Sequence, residues 1–500
     1  MPLKALRYRS LKEASPVADM DDVSSTAIAP CVVSPYASMS ATGPLRVGSV
    51  VSALSQALDL STGQPVGHSV RSCILGMRLA QEIGMPQEVR QELFYALLLK
   101  DCGCSSNSSK MFHVVGSDDL AAKRDASMFD WTKTSTETLH YALAHVGKGR
   151  PFLERSRLLL QLALKQKRHT RDVIKIQCER GAALAMVMGL SDGTANAIRS
   201  LHEHWDGHGE PDQLWHREIP IHSRVMLLAQ TLEVHGAEKG FETALDVVRQ
   251  RSGTWFEPDL VKAAVSLAVR GKLWSESENG NPLREVLKLE PRWDIVDEGG
   301  PTLDSIALAF AQVVDAKSPF TFNHSSGVAN ATVAIARRLG LSRERTLFLR
   351  HAALLHGLGK LGLSNAILEK PGKLNESEWE AMRRYPYYTW TILRAIPGFE
   401  EMSEVAASHH EKLNGQGYFR GLTAGQMSLD ARILVVADIF NALAAKRPYR
   451  DALPMDAVLS VLRKDAPHAL DGDCVAALEE SGVVLDQTVV DLQNLNDRLG

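Results

Sequence analysis

Apolar residues recur at three- and four-residue intervals along most of this 500-residue chain, which is the period of amphipathic helices. The stretch Val70–Ile83 is typical. The same pattern runs from Val50 to about Arg270, and again from about Leu303 to Leu499. Few runs alternate between apolar and polar residues in the way that predicts strands. The pattern therefore predicts an all-α protein.

Three stretches without this period divide the chain. Residues 1–45 are rich in Ser, Ala, Pro and Val, which predicts a mobile tail. Polar tracts with Gly, Asn or Pro, Trp274–Pro282 and Glu290–Pro301, predict a linker over residues 276–302. We therefore predict two helical-bundle domains, over residues 46–275 and 303–500. The first contains a helical insertion at about 105–175.

Polar residues and glycines of the first domain recur in the second at constant spacing. His68 and Gly84 precede His324 and Gly340 by 256 residues. Six later matches have an offset of 208: His202, Glu203, Gly207, Gly209, Arg224 and Ala229 with His410, Glu411, Gly415, Gly417, Arg432 and Ala437. The difference, 256 − 208 = 48, is extra sequence in the first copy. Such matches predict an internal duplication.

The second copy carries side chains that a helical bundle could use to hold a metal ion. His324 begins one predicted helix, His356 lies in another, and the pair His409 and His410 ends a third. Asp438 interrupts an apolar helical run, where an uncompensated carboxylate costs several kcal/mol to bury. Imidazole and carboxylate ligands together suit Fe, Mn, Zn or similar ions.

Further motifs surround these residues: His324-Ser325, Leu355-His356, Gly359-Lys360-Leu361-Gly362, Ile367-Leu368, Lys370-Pro371-Gly372-Lys373-Leu374, Glu378-Trp379, His409-His410-Glu411, Asn414-Gly415, Gly417-Tyr418, Ala431-Arg432-Ile433, Ala437-Asp438 and Arg447-Pro448-Tyr449-Arg450. Over about residues 315–480 the chain thereby resembles the HD-GYP subgroup of the HD-domain phosphohydrolases. The resemblance implies a helical bundle that holds metal ions and hydrolyses cyclic di-GMP or a related cyclic dinucleotide.

The resemblance also implies a role for individual residues. It makes five residues metal ligands: His324, His356, His409, His410 and Asp438. The family implies two or three metal ions, and for this chain we expect one or two divalent transition metal ions such as Fe or Mn. Lys360, a compact positive charge beside the phosphate, and Asp438 would be catalytic. Five residues would face the substrate: Lys360, Gly415, Gly417, Tyr418 and Arg447.

Three positions depart from the family pattern. Gly357 stands where the family has an aspartate that bridges two metal ions, and Tyr385 stands where a further histidine ligand is usual. Phe419 replaces the proline of a Gly-Tyr-Pro motif. The first two changes remove one carboxylate and one imidazole from one cluster, so we expect an impaired phosphohydrolase with one ion or none. The alternative is an inactive signalling module that binds a nucleotide or a protein partner.

The first copy lacks most of these ligands. It retains four polar residues: His68, Asp101, His202 and Glu203. Lys100 replaces a histidine, and its ammonium group beside Asp101 would occupy the space of a cation. Three more positions are changed: Cys104 replaces the lysine, Leu201 a histidine and Gln230 the aspartate. We expect this copy to be structural, regulatory or partner-binding.

Composition narrows the choice of partners. The net charge of −3 gives no reason to expect nucleic-acid binding, and no DNA-reading motif occurs. No apolar run approaches the roughly 18 residues of a membrane span, and the N-terminus does not predict a secretory signal. Six cysteines without a CxxC pair fit a reducing compartment, so we expect a cytoplasmic protein. The expected partners are a cyclic dinucleotide or other phosphodiester, and a signalling protein.

Overall fold

The computed structural model of the protein describes residues 45–130, 136–148, 150–274, 281–290 and 300–483. Within these ranges the backbone forms helices and isolated bridges but no strand, which confirms the predicted all-α class. The predicted mobile tail up to residue 44, and residues 276–280 and 291–299 of the predicted linker, lie outside the described residues.

The chain divides into two compact units. Unit 1 comprises Met1–Cys104 and Val114–Gly300, and unit 2 comprises Ser105–His113 and Pro301–Gly500. The short segment Ser105–His113, which lies in the predicted insertion of the first domain, therefore belongs with unit 2.

Helices from the first half of the chain are α1 (Val47–Thr62), α2 (His68–Glu82), α3 (Gln87–Leu99), α4 (Ser108–Val115), α5 (Asp119–Ala126), α6 (Thr136–His145), α7 (Phe152–Val187), α8 (Asp192–Arg199), α9 (Ile221–Lys239), α10 (Phe241–Gln250), α11 (Pro258–Val269) and α12 (Pro282–Leu289). Short 3₁₀ helices span Cys104–Asn107 and His216–Glu218. The last of these helices, α12, lies inside the predicted linker and packs against α1 and α2.

Helices from the second half are α13 (Leu303–Asp315), α14 (His324–Arg338), α15 (Arg343–Leu355), α16 (Asn365–Leu368), α17 (Glu376–Arg394), α18 (Glu400–Ala407), α19 (Leu429–Ala444), α20 (Met455–Asp465) and α21 (Gly472–Glu480). The 3₁₀ helices here span Leu358–Gly362 and Ala424–Gln426. Side-chain caps begin several of these helices, as where the Ser342 hydroxyl accepts from the Arg345 amide.

Both units are built around the same three-helix core. In unit 1, α2 packs against α3 and α9, and in unit 2, α14 packs against α15 and α19. The first helix of each core begins at a left-handed residue, Gly67 with φ 90° or Asn323 with φ 56°. This common core positions a histidine, His68 or His324, at the first turn of the helix.

The extra residues of the first copy can be located from two close backbone approaches. A Cβ atom at Gly103 would lie 1.9 Å from the Gln177 carbonyl oxygen, and one at Gly359 would lie 1.9 Å from the Tyr385 carbonyl oxygen. The two glycines are 256 residues apart, but Gln177 and Tyr385 are 208 apart (385 − 177). The extra 48 residues therefore lie between Gly103 and Gln177.

No helix in the described part of the chain combines the length and the hydropathy needed to cross a membrane.

Candidate metal centre

Three buried side chains meet at the centre of unit 2. His324 is the first residue of α14, His356 directly follows α15, and Asp438 lies in α19. His324 Nε2 is 3.1 Å and His356 Nε2 is 3.6 Å from the same oxygen, Asp438 Oδ1. The three ligand atoms lie within 4.8 Å of one another. We call these three residues the metal cluster.

The hydrogen bonds of the two histidines determine which ring nitrogens carry a hydrogen. His324 Nδ1 lies 2.7 Å from Asn441 Oδ1, and His356 Nδ1 lies 2.6 Å from the Ala353 carbonyl oxygen. Both partners are acceptors, so each Nδ1 donates and each Nε2 of the neutral ring carries a lone pair. Burial lowers the pKa of His324 to about 4, which makes its ring neutral near pH 7.

Two imidazole lone pairs and a carboxylate oxygen therefore face one another with no hydrogen between them. His356 Nε2 is buried and has no hydrogen-bond partner among the described residues. An ionised carboxylate facing two lone pairs is stabilised by a cation, and these residues fit a divalent transition metal ion.

The adjacent pair His409 and His410 is held by Tyr385. The Tyr385 hydroxyl lies 2.7 Å from His409 Nε2 and also hydrogen-bonds to His410 Nε2. His409 Nδ1 donates to the Ala406 carbonyl at 2.6 Å, so its Nε2 accepts from the hydroxyl. The hydroxyl oxygen in turn accepts from His410 Nε2. The Tyr385 hydroxyl is therefore hydrogen-bonded to the Nε2 atom of both rings.

Neutral rings are required for this network, and burial provides them. Burial lowers the pKa of His409 well below its usual value and lowers that of His410 to about 3. Burial also raises the pKa of Tyr385, which keeps its hydroxyl hydrogen. Of the five predicted ligands, His324, His356 and Asp438 converge on one point. His409 and His410 lie beside them but are bonded to Tyr385.

Gly357 lies between the metal cluster and the 3₁₀ helix Leu358–Gly362. Its φ of −86° and ψ of 0° are accessible to any residue. A Cβ atom at this position would lie 3.0 Å from Val314 Cγ1 and 3.9 Å from Ser325 Oγ. The backbone therefore accepts an aspartate here if the Val314 side chain moves by a few tenths of an ångström.

Two positive side chains from different elements lie near the metal cluster. Lys360 Nζ is 5.4 Å from the centre of the Tyr385 ring, and burial lowers its pKa. Arg447 donates from Nη1 to the Phe320 carbonyl oxygen at 3.2 Å. The charge of Arg447 also contributes to lowering the pKa values of Lys360 and His324, which places it in the same electrostatic environment. Both are positioned to attract an anionic ligand.

The segment Gly415–Tyr418, which contains three of the residues predicted to face the substrate, lies directly beside His410. The ring centres of Tyr418 and His410 are 4.5 Å apart, and the Tyr418 amide donates to the His410 carbonyl at 3.1 Å. Gly415 has φ 73°, and a Cβ atom at Gly417 would lie 2.3 Å from Glu411 Cα. Both glycines are therefore required by the backbone, which explains their presence in the motif.

Phe419 changes the same loop in a way that proline could not. Its φ is 94°, whereas the proline ring holds φ near −65°. Its ring lies 6.0 Å from that of Tyr387 and 6.4 Å from that of Trp390, with the Arg420 guanidinium 4.7 Å from its centre. The loss of the family proline is accompanied by a different backbone and a local aromatic cluster.

Unit 1 contains a lysine at the position equivalent to His356. Lys100 Nζ is 2.8 Å from His68 Nε2 and forms an ion pair with Asp101. The lysine is 2% exposed. His68 Nδ1 bonds to Glu233, which also accepts from Arg71 Nε at 2.6 Å. An ammonium group is thus held between a histidine Nε2 and a carboxylate.

The remaining retained and altered residues of unit 1 lie in different surroundings. Cys104 Sγ lies 3.5 Å from Asp101 Oδ1, and Gln177 Nε2 lies 3.4 Å from His202 Nε2. Glu203 accepts from the amides of Asp212 and Leu214, at 2.7 and 2.9 Å. Leu201 is buried, and Gln230 lies on α9 where Asp438 lies on α19. Among the described residues of this unit, no three histidine, cysteine or carboxylate side chains converge in the way that the metal cluster of unit 2 does.

The HD domain family model matches residues 120–260 and 309–474, more than half of the chain. The chain belongs to the HD-domain family. One matched segment lies in each unit, so the protein contains two HD domains in tandem.

Several HD-domain relatives have known activities. The 3′3′-cGAMP-specific phosphodiesterase 3 of Vibrio cholerae is 38% identical over 445 residues, which cover 89% of this chain and 96% of that protein. The cyclic di-GMP phosphodiesterase response regulator RpfG of Xanthomonas campestris is 38% identical over 155 residues, 31% of this chain and 41% of that protein. A crystal structure of a cyclic GMP-AMP-specific phosphodiesterase of V. cholerae matches with a TM-score of 0.60 and 34% identity, covering 88% of this chain and 98% of that one.

Three residues that position His324 in the second HD domain were not predicted from the sequence: Asp315, Gly327 and Asn441. Asp315 accepts from the Ser325 amide and hydroxyl, as Asp59 does from Ser69 in the first HD domain. Asn441 orients His324, and a Cβ atom at Gly327 would lie 2.0 Å from Asn441 Nδ2. Of the three, only Asp315 has an identical residue at the repeat offset, Asp59. Gly327 and Asn441 align with Arg71 and Glu233.

Proposed function

We propose that the protein is a metal-dependent phosphodiesterase that hydrolyses a 3′3′-linked cyclic dinucleotide, such as cyclic GMP-AMP or cyclic di-GMP. The observation that carries the proposal is the metal cluster of unit 2, where two imidazole lone pairs face a buried carboxylate. The V. cholerae relative named for activity on 3′3′-cGAMP matches along most of both chains, which supports this substrate class.

Different residues of the site would bind the metal ion and the phosphate group. Asp438 supplies negative charge and His324 and His356 supply lone pairs, so together they hold the ion. A divalent ion held there would provide Lewis-acid activation of a phosphodiester and of water. Lys360 and Arg447 supply positive charge for the phosphate oxygens, where charge accumulates during phosphoryl transfer.

The site differs from a two-ion centre in ways that reduce its rate. Gly357 provides no bridging carboxylate, and the Tyr385 hydroxyl is bonded to His409 and His410. We therefore propose one ion per chain and slow turnover. The same hydroxyl favours a second candidate function, a module that binds the cyclic dinucleotide without cleaving it, because it engages the Nε2 atoms of both imidazoles.

Hydrolysis assays of the full-length protein test the two candidates. With added Mn²⁺, or with Fe²⁺ under anaerobic conditions, the native chain is expected to convert 3′3′-cyclic GMP-AMP to a linear dinucleotide, and a chelator is expected to stop the reaction. His356→Ala should lower the rate by at least about a hundredfold, because the ion loses one of three ligands. Product formation is measured by chromatography.

His351→Ala is the matched control. His351 is also buried and on α15, but its Nε2 lies 3.3 Å from Asp304, away from the metal cluster. This variant should retain the native rate. Binding of the cyclic dinucleotide without turnover would support the binding module, and the absence of both would refute the proposed function.

A further inference from the structure

A pocket of about 400 Å³ opens in unit 2 at the loop between α13 and α14. The loop forms one wall, and the segment Ser105–His113 forms the other. Six of its lining residues carry the chemistry: Ser106, Ser109, Lys110, His113, Ser318 and Phe322. We call this cavity the side pocket.

The second wall is fixed in place by a buried carboxylate. Ser109 Oγ donates to Glu369 Oε2 at 3.1 Å, and His113 Nδ1 lies 3.9 Å from the same oxygen. Glu369 also accepts from Asn365 Nδ2 at 2.7 Å. The Glu369 side chain is only 5% exposed. The segment that lines the pocket is therefore held as part of unit 2, although it lies in the first half of the sequence.

The lining combines the groups that recognise a nucleotide. Lys110 supplies a positive charge for a phosphate. His113 lies on the same wall, where its Nδ1 donates to the Ser109 carbonyl oxygen at 2.7 Å. Phe322 exposes 42% of its surface, which leaves an aromatic face for a nucleobase. Ser106 Oγ is buried and has no hydrogen-bond partner among the described residues, so it offers a hydroxyl to a ligand.

The side pocket is continuous with the metal cluster along the chain. Phe322 lies two residues before His324, the first ligand of the cluster. Asp315, which also lines the pocket, accepts from Ser325 at the start of α14. Arg447 donates to the carbonyl of Phe320 in the same loop. The side pocket and the metal cluster therefore share the loop that precedes His324 and the carboxylate that anchors the start of α14.

A cyclic dinucleotide needs a second binding region of this kind. It contains two phosphodiester groups and two bases, and a single-ion cluster engages one phosphodiester. We propose that the side pocket receives the other nucleotide, with its base against Phe322 and its phosphate near Lys110. The proposal rests on the proposed function of the metal cluster. It makes the segment Ser105–His113 a determinant of substrate selection.

Two substrates of different size test the proposal on the full-length protein. For 3′3′-cyclic GMP-AMP, Phe322→Ala and Lys110→Ala are each expected to raise KM by about tenfold, while kcat stays within about twofold. For bis(p-nitrophenyl) phosphate, which lacks a second nucleotide, both variants should match the native chain. Phe322→Tyr keeps an aromatic ring and should restore the native KM.

Matched controls are Leu347→Ala and Lys464→Ala, which change an exposed apolar residue and an exposed lysine elsewhere in unit 2. Both should leave KM unchanged. Metal content is measured for Phe322→Ala and Lys110→Ala as well, and a value equal to that of the native chain would show that the metal cluster is intact.

Equal KM values for native protein, Phe322→Ala and Lys110→Ala with the cyclic dinucleotide would overturn the proposal while leaving the proposed function in place. If the native chain cleaves neither substrate, the proposed function fails and the side pocket is judged by calorimetry. A Kd for the cyclic dinucleotide about tenfold weaker in both variants would then support the pocket. No binding to the native chain, or equal Kd values, would refute it.

Discussion

Restoring the two missing ligands, with Gly357→Asp and Tyr385→His in one chain, is expected to raise the bound metal from one ion per chain to two and to raise kcat at least tenfold. The aspartate places a carboxylate beside His356, which attracts a second cation and offsets repulsion between the two ions. The new histidine replaces the phenol and frees the Nε2 atoms of His409 and His410. Metal content by mass spectrometry and hydrolysis rates check the result.

Both substitutions are compatible with the local structure. The φ and ψ of Gly357 impose no strain on an aspartate, and Val314 Cγ1, 3.0 Å from the new Cβ, needs to move only slightly. Tyr385→Phe is the control, because it removes the hydroxyl without supplying a ligand. This control should keep one ion. A double variant that binds one ion at the native rate would show that the lost ligands do not limit the site.

Asp438→Asn is expected to remove the ion and to lower kcat/KM by at least about a thousandfold, equivalent to about 4 kcal/mol of transition-state stabilisation. Asp438 is the one carboxylate in the metal cluster, so the amide leaves no anionic ligand for a cation. The side chain keeps its size, and the packing around α19 should be preserved. Metal content and steady-state kinetics are the measurements.

Asp430→Asn provides the matched control for this loss. Asp430 is also a buried carboxylate of α19, but it forms an ion pair with Arg345 outside the metal cluster. Its replacement should reduce the free energy of unfolding while the ion and the rate are retained. Full activity in Asp438→Asn would show that the cluster does not carry the reaction.

The sequence predicted the helical class and the residues of the metal cluster for separable physical reasons. Apolar residues at helical period identify the buried faces, and this local signal does not depend on how the helices assemble. Asp438 stood out because a carboxylate in an apolar helix needs compensation. His324 and His356 were identified from the motifs around them, and the structure brings all three together.

Contacts between distant residues were not accessible from local patterns. That the Tyr385 hydroxyl bonds both His409 and His410 depends on the approach of α17 to the end of α18. The segment Ser105–His113 joins unit 2 through Glu369, more than 250 residues away along the chain. Such pairings require tertiary structure. Asp315 differs from these, because comparison of the two copies at the offset of 256 pairs it with Asp59 and would have identified it.

The two units differ in the residue that faces the histidine and the aspartate of the core. Lys100 and His356 have nearly the same backbone conformation, with φ and ψ of −50° and −30° and of −58° and −31°. In unit 1 the lysine supplies a covalently attached cation to His68 and Asp101. In unit 2 the equivalent residue is an imidazole, and we propose that a bound ion supplies the positive charge there. This difference distinguishes the proposed metal site of unit 2 from the corresponding site of unit 1.

Metal content of the native chain beside His356→Lys tests that claim most directly. Both proteins are incubated with excess Mn²⁺ or anaerobic Fe²⁺, desalted and measured by mass spectrometry, with thermal unfolding as a check that each is folded. We expect one ion per native chain and none in His356→Lys, whose ammonium group replaces the ion as Lys100 does in unit 1. A native chain without metal, or an ion retained by folded His356→Lys, would contradict it.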